Sequence, residues 1–110
     1  MPTVNLYHKK KDSSQSLSVL VPKLKEYIAD KLSCGDRKLT SEEISIRLIL
    51  VEGDTMIGNV EVEITAHAYS ERVEKQDEIC RDVREYIMKE IPSLGDVRAW
   101  LNLCELGHSW

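Results

Sequence analysis

Hydrophobic and polar positions alternate from the start of the chain. Thr3-Val4-Asn5-Leu6-Tyr7-His8 has the period of two that predicts a half-buried strand, ended by Lys9-Lys10-Lys11-Asp12-Ser13-Ser14. The period then lengthens: Leu17, Leu20, Val21, Leu24, Ile28 and Leu32 recur at three and four residues, one apolar stripe of a helix. Ser13 or Ser14 is its expected N-cap and Gly35 its stop. Pro22 lies inside the stripe, so the helix either begins late or kinks there. Ile44 to Val51 reads as a strand apolar on both faces in its second half, with Arg47 out of keeping inside it. After the turn signals around Gly53 and Gly58, Val60, Val62, Ile64, Ala66 and Ala68 alternate with Glu61, Glu63, Thr65, His67 and Tyr69, a further half-buried strand. Val73, Ile79, Cys80, Val83, Ile87 and Ile91 predict a second helix over about 71–91, closed by Pro92 and Gly95. A last strand follows, with Val97, Ala99, Leu101 and Leu103 on one side and Arg98, Trp100, Asn102 and Cys104 on the other.

Strand, helix, strand thus occurs twice. Lys25-Glu26-Tyr27-Ile28 in the first helix returns 59 positions later as Arg84-Glu85-Tyr86-Ile87 in the second. Element order and repeat together predict an α+β fold: tandem βαβ units, about 2–52 and 59–106 within a single domain over 1–110, forming a four-stranded mixed sheet with both helices on one face. The other face is then open. Because Ile49 and Val51 stand beside Arg47 on the outward side of the second strand, a second copy of the chain is expected to cover it in a cyclic oligomer.

The 110 residues are 42% hydrophobic, enough for one core without metal or disulfide staples, which excludes both intrinsic disorder and a two-domain chain. Fifteen basic against nineteen acidic side chains leave a net charge of −4 with no basic stripe, so nucleic acid is not an expected partner. Cys34, Cys80 and Cys104 are odd in number and widely spaced, which suits reduced thiols in a cytoplasmic setting. No run of about 18 apolar residues exists and the start of the chain has no signal-peptide pattern, so neither membrane insertion nor export is expected.

Motifs that carry chemistry are few. A glycine-rich phosphate loop, a metal-spaced cluster and a nucleophile elbow are all missing from the sequence, so neither metal nor cofactor is expected. His8, His67 and His108 are scattered, and Glu61 with Glu63 reads as the solvated side of a strand. Pro2 is different. With Met1 removed it would present a secondary amine at the head of a strand. An α-amino group titrates at about 7.7–8.0, and partial burial or neighbouring cations lower that value, making a neutral base near pH 7.

Met1-Pro2 opening a strand, the βαβ repeat and the chain length together resemble the tautomerase superfamily, across essentially the whole chain. The resemblance implies a processed N-terminal proline as catalytic base and trimers whose sheets surround a central barrel. Ile46-Arg47-Leu48-Ile49-Leu50-Val51-Glu52 is similar to the superfamily segment whose arginine binds a substrate carboxylate, so Arg47 is a candidate for that role, or else an arginine reaching solvent or a structural glutamate. Trp100-Leu101-Asn102 resembles the last strand of the migration inhibitory factor branch, where an aromatic and an asparagine line the pocket; Trp100 could equally anchor a subunit interface. Lys11 stands near the place of an arginine after the first strand, out of register, and is a lesser candidate for attracting an anion. Ala68 to Gln76 resembles a strand-to-helix junction of the superfamily but lacks its glycines, which puts a main-chain binding site there in doubt. The implied activity is a cofactor-independent tautomerase or isomerase moving a proton in a small anionic oxo-acid, within a homotrimer; the alternative is a non-catalytic trimer that keeps the scaffold.

Overall fold

The structure, a computed structural model, describes residues 1–9, 13–35, 37–53, 55–105 and 107. Its elements are β1 (Thr3–His8), α1 (Ser13–Leu32), β2 (Ser45–Leu50), β3 (Val60–His67), α2 (Ser70–Glu74), α3 (Gln76–Glu90) and β4 (Val97–Cys104). Single 3-10 turns at Ser41–Glu43 and Pro92–Leu94 lead into β2 and β4. The strands lie in the order β2-β1-β3-β4, parallel within each βαβ pair and antiparallel where β1 meets β3. The fold is therefore α+β, two βαβ units sharing one mixed sheet.

Alternation along the strands decides which side the helices cover. Val4 and Leu6 of β1 and Val60, Val62, Ile64 and Ala66 of β3 are fully buried, with Val97 and Leu101 of β4 beside them. Leu17, Leu20, Leu24, Ile28 and Leu32 of α1 and Ile79, Val83 and Ile87 of α3 close over this face. Each such Val, Leu or Ile side chain stabilises the fold by about 1.5–3 kcal/mol relative to exposure. The helix α1 passes through Pro22 without ending, the ring lying on its exposed side. It starts at Ser13, so both serines sit in its first turn and the preceding cap position is outside the described residues. The tyrosines of the repeated motif meet: Tyr27 and Tyr86 stack with centroids 4.1 Å apart and planes at 12°. Lys31 reaches Asp82 at 2.9 Å across the same seam.

Two expectations are corrected. The second helix is not continuous from 71 to 91; it breaks at Lys75, whose backbone (φ −105, ψ 13) leaves the helical range. The break resets the phase, so Val73 is 51% exposed and Arg72, one residue earlier, is buried. The open face of the sheet is also less apolar than expected. It carries Thr3, Asn5 and Tyr7 from β1, Glu61, Glu63 and Thr65 from β3, and Arg98, Trp100 and Asn102 from β4, with Ile49 of β2 among them. Ile49 and the half-exposed Trp100 are its apolar members within the strands.

Candidate functional site

Pro2 precedes β1 and is buried; its carbonyl accepts the Ser45 amide at 3.2 Å, which fixes the head of β1 against β2. The chain leaving α1 returns to this corner through a tight turn. Cys34 and Arg37 exchange backbone hydrogen bonds of 3.1 and 2.8 Å around Gly35, whose φ of +54 favours glycine. The Ser33 hydroxyl donates to the Ala29 carbonyl at 2.8 Å and accepts the Leu39 amide at 2.9 Å, so the segment carrying Arg37 and Lys38 is pinned at both ends. Glu43 is engaged locally, accepting the Thr40 amide at 3.1 Å and its hydroxyl at 3.3 Å. From the opposite side, the end of β3 and the short α2 bring Tyr69 and Arg72.

These residues surround a cleft of about 330 Å³ whose wall includes Pro2, Arg37, Lys38, Glu43, Tyr69 and Arg72. A second hollow of about 370 Å³ shares Arg37 and Tyr69 and adds Cys34 and Glu71. Arg72 is 4% exposed. Its Nε donates to the Leu32 carbonyl at 2.9 Å and its Nη1 to the His67 carbonyl at 3.0 Å, joining the end of α1 to the end of β3. Burial lowers the Arg72 guanidinium from its ordinary range; Cys34 and Tyr69 oppose this, and the like charge of Arg37 adds to it. The group still keeps its charge. Arg37 and Arg72 both lie over the Tyr69 ring, at 4.5 and 4.8 Å from its centroid. The His67 ring is 4.6 Å from Tyr69, tilted by 56°. Among the described residues, three cations thus line a cleft whose one carboxylate, Glu43, accepts hydrogen bonds from its own turn. Such a site suits an anion.

Of the residues singled out from sequence, Pro2 lies in this cleft. Arg47 does not: it is exposed on the open face, where its Nη1 donates to Asn5 Oδ1 at 3.3 Å. Asn5 in turn donates to Glu63 Oε1 at 3.0 Å, and the Tyr7 hydroxyl donates to the same oxygen at 3.0 Å. Trp100 stands opposite Glu63 and Asn102 opposite Thr65, both exposed on that face and neither lining the Pro2 cleft within one chain. Lys11 lies outside the described residues. Arg37, Lys38 and Arg72 escaped sequence reading. The available signals were two adjacent cations just past a glycine stop, and an arginine three residues after a tyrosine at a strand end. Among the described residues, no cluster of three or more His, Cys, Asp or Glu is placed to hold a metal ion, and no helix is long and apolar enough to cross a membrane.

No family model matches the sequence, and no curated protein matches it. Solved structures do match its fold. A macrophage migration inhibitory factor-like protein from Entamoeba histolytica superposes with a TM-score of 0.63 at 10% identity, covering 98% of this chain and 95% of that one. A fused 4-OT symmetric trimer gives a TM-score of 0.64 at 15% identity, over 94% of this chain and 87% of that one. A member of the cis-3-chloroacrylic acid dehalogenase family gives 0.63 at 7% identity, over 94% of this chain and 75% of that one. Together with the β2-β1-β3-β4 sheet built from two parallel pairs, these similarities establish that the chain has the fold of the tautomerase superfamily.

Proposed function

We propose that this protein, with Met1 removed, is a cofactor-independent tautomerase of small anionic oxo-acids. The observation that carries the reading is the burial of Pro2 in a cleft lined by Arg37, Lys38 and Arg72. An anionic substrate is drawn by these cations, and its carboxylate is held by the accessible ones, Arg37 and Lys38. The same cations, with burial, disfavour a charged Pro2 nitrogen, so the secondary amine is neutral near pH 7 and able to accept a proton. The neutral amine takes a proton from the enol oxygen or from the carbon next to the carbonyl. The charge that develops on oxygen is stabilised by the guanidinium dipoles and cations already in place. Return of the proton from the prolinium to the other atom completes the reaction, with no atom gained or lost.

Arg47, Trp100 and Asn102 face away from Pro2 in their own chain. In this proposal they reach a neighbouring subunit's cleft within a homotrimer. The free outer edges of β2 and β4, the outward Ile49 and Trp100, and the fused 4-OT fold relative that is itself a symmetric trimer support that assembly. Sedimentation at micromolar concentration is expected to give the mass of three chains; a monomer removes these three residues from the site.

The test is ketonisation of phenylenolpyruvate, followed by loss of enol absorbance, in protein whose intact mass confirms loss of Met1. Replacing the amine by Pro2→Ala is expected to lower the rate by about a hundredfold or more, the usual contribution of a positioned base. An unchanged rate in the variant, or activity in protein that retains Met1, refutes the role of Pro2. A wild type with no activity on enol or hydroxymuconate substrates leaves the scaffold as a non-catalytic binding protein.

A further inference from the structure

Arg72 is an unusual side chain to place at the wall of a cleft. Its guanidinium is buried, yet no carboxylate pairs with it among the described ion pairs; its acceptors are two main-chain carbonyls from segments 35 residues apart, Leu32 and His67. Hydrogen bonding through Nε and Nη1 fixes the plane of the group, and Tyr69 stacks on it with its centroid 4.8 Å from the guanidinium carbon. Arg37 rests over the same ring at 4.5 Å. Arg37 is exposed and lines the cleft that also holds Pro2, and its described guanidinium contact is with the Tyr69 ring.

We infer that Arg72 is a positioning residue: by clamping the ends of α1 and β3 it fixes Tyr69, and Tyr69 holds Arg37 as the cleft's anion-binding fork. The inference rests on the cleft being the ligand site proposed above, but it concerns how that site is preassembled. The planar fork is essential to it. A lysine at 72 would keep the charge, yet a single ammonium cannot bridge both carbonyls in one plane and present a flat surface to Tyr69.

The experiment compares wild type, Arg72→Lys and Tyr69→Leu by NMR, with phenylpyruvate at fixed ionic strength as the probe. In wild type the Arg37 side-chain resonances are expected to be shifted upfield by the Tyr69 ring and to move on titration. In Arg72→Lys the upfield shift is expected to disappear and affinity to fall about tenfold, a loss of about 1.4 kcal/mol. A role for Arg72 as mere buried charge predicts rescue by lysine instead. Should Arg72→Lys fail to fold, Tyr69→Leu carries the test: it is expected to bind about tenfold more weakly while the Arg72 Nε–H stays protected by Leu32. A folded Arg72→Lys protein with an unaltered Arg37 shift, or a Tyr69→Leu protein with wild-type affinity, overturns the inference. Failure of wild type to bind phenylpyruvate at millimolar concentration overturns the anion-binding role of Arg37. Binding by wild type without turnover refutes the tautomerase reading and leaves this one standing.

Discussion

The two polar regions of this molecule treat their arginines in opposite ways. On the open face of the sheet, Arg47 donates to Asn5, Asn5 donates to Glu63, and Tyr7 donates to the same carboxylate, so a run of donors ends on an acid. At the head of the sheet, Arg37 and Arg72 crowd one tyrosine ring, and the acceptors for Arg72 are neutral carbonyls. The first arrangement is closed within one chain in the sense that the donor run from Arg47 through Asn5 ends on the Glu63 carboxylate, while Arg47 itself stays exposed. Among the described residues, the second sets three cations and one carboxylate, Glu43, in the wall beside a buried proline, and that excess is what an anion-binding site requires. An arginine inside an otherwise apolar strand is therefore less informative than the acid that accompanies it.

The contrast breaks most sharply at Arg72. Arg72→Met removes a donor from two carbonyls at a buried junction; the His67 carbonyl keeps the Tyr69 amide at 3.1 Å, so the Leu32 carbonyl is the group left unsatisfied, and the expected cost is about 1–3 kcal/mol. Arg37→Ala, on the same tyrosine but exposed, is expected to change stability by no more than about 0.5 kcal/mol. Urea unfolding of both variants measures the difference. Equal losses would mean that the cleft is as closed a network as the open face and would remove the distinction drawn between them.

This asymmetry also explains what the sequence reveals. The strands were legible because each has one face on the core, so Val60, Val62, Ile64 and Ala66 repeat with period two, and α1 was legible because its buried stripe runs unbroken to Leu32. The region around Arg72 was not. A continued helical phase assigns Val73 to the core, whereas the break at Lys75 turns Arg72 inward. No local pattern distinguishes such an arginine from a solvated one. The cleft has the same difficulty on a larger scale: Pro2, Arg37 and Arg72 come from three separate segments, and their meeting depends on β1 lying between β2 and β3. Arg47 stands out in the sequence because it interrupts an apolar strand, yet the open face it occupies is mostly polar, so the interruption by itself marks which face is outward.

The smallest expected effect tests whether the open face is closed as described. Glu63 raises the Tyr7 phenol above its ordinary 10.0 chiefly through their hydrogen bond, with burial and the negative charge of Glu63 acting in the same direction. A phenol whose folded value is raised contributes stability that is fully present below the unfolded value and is lost as pH rises through the folded one. Glu63→Gln keeps one acceptor oxygen but removes the charge, so it is expected to cost about 1 kcal/mol near neutral pH, the usual worth of one such bond. The deficit is then expected to narrow between about pH 9 and pH 11, because wild type alone must bring a tyrosinate against a carboxylate. Ultraviolet titration of the tyrosines is expected to show one group moving down toward 10.0 in the variant. Tyr86, raised chiefly by burial, titrates high in both proteins and does not affect the difference. A deficit that stays constant through the alkaline range would show that Glu63 does not terminate the Arg47–Asn5 chain together with Tyr7, and the open face would then have charge to spare like the cleft.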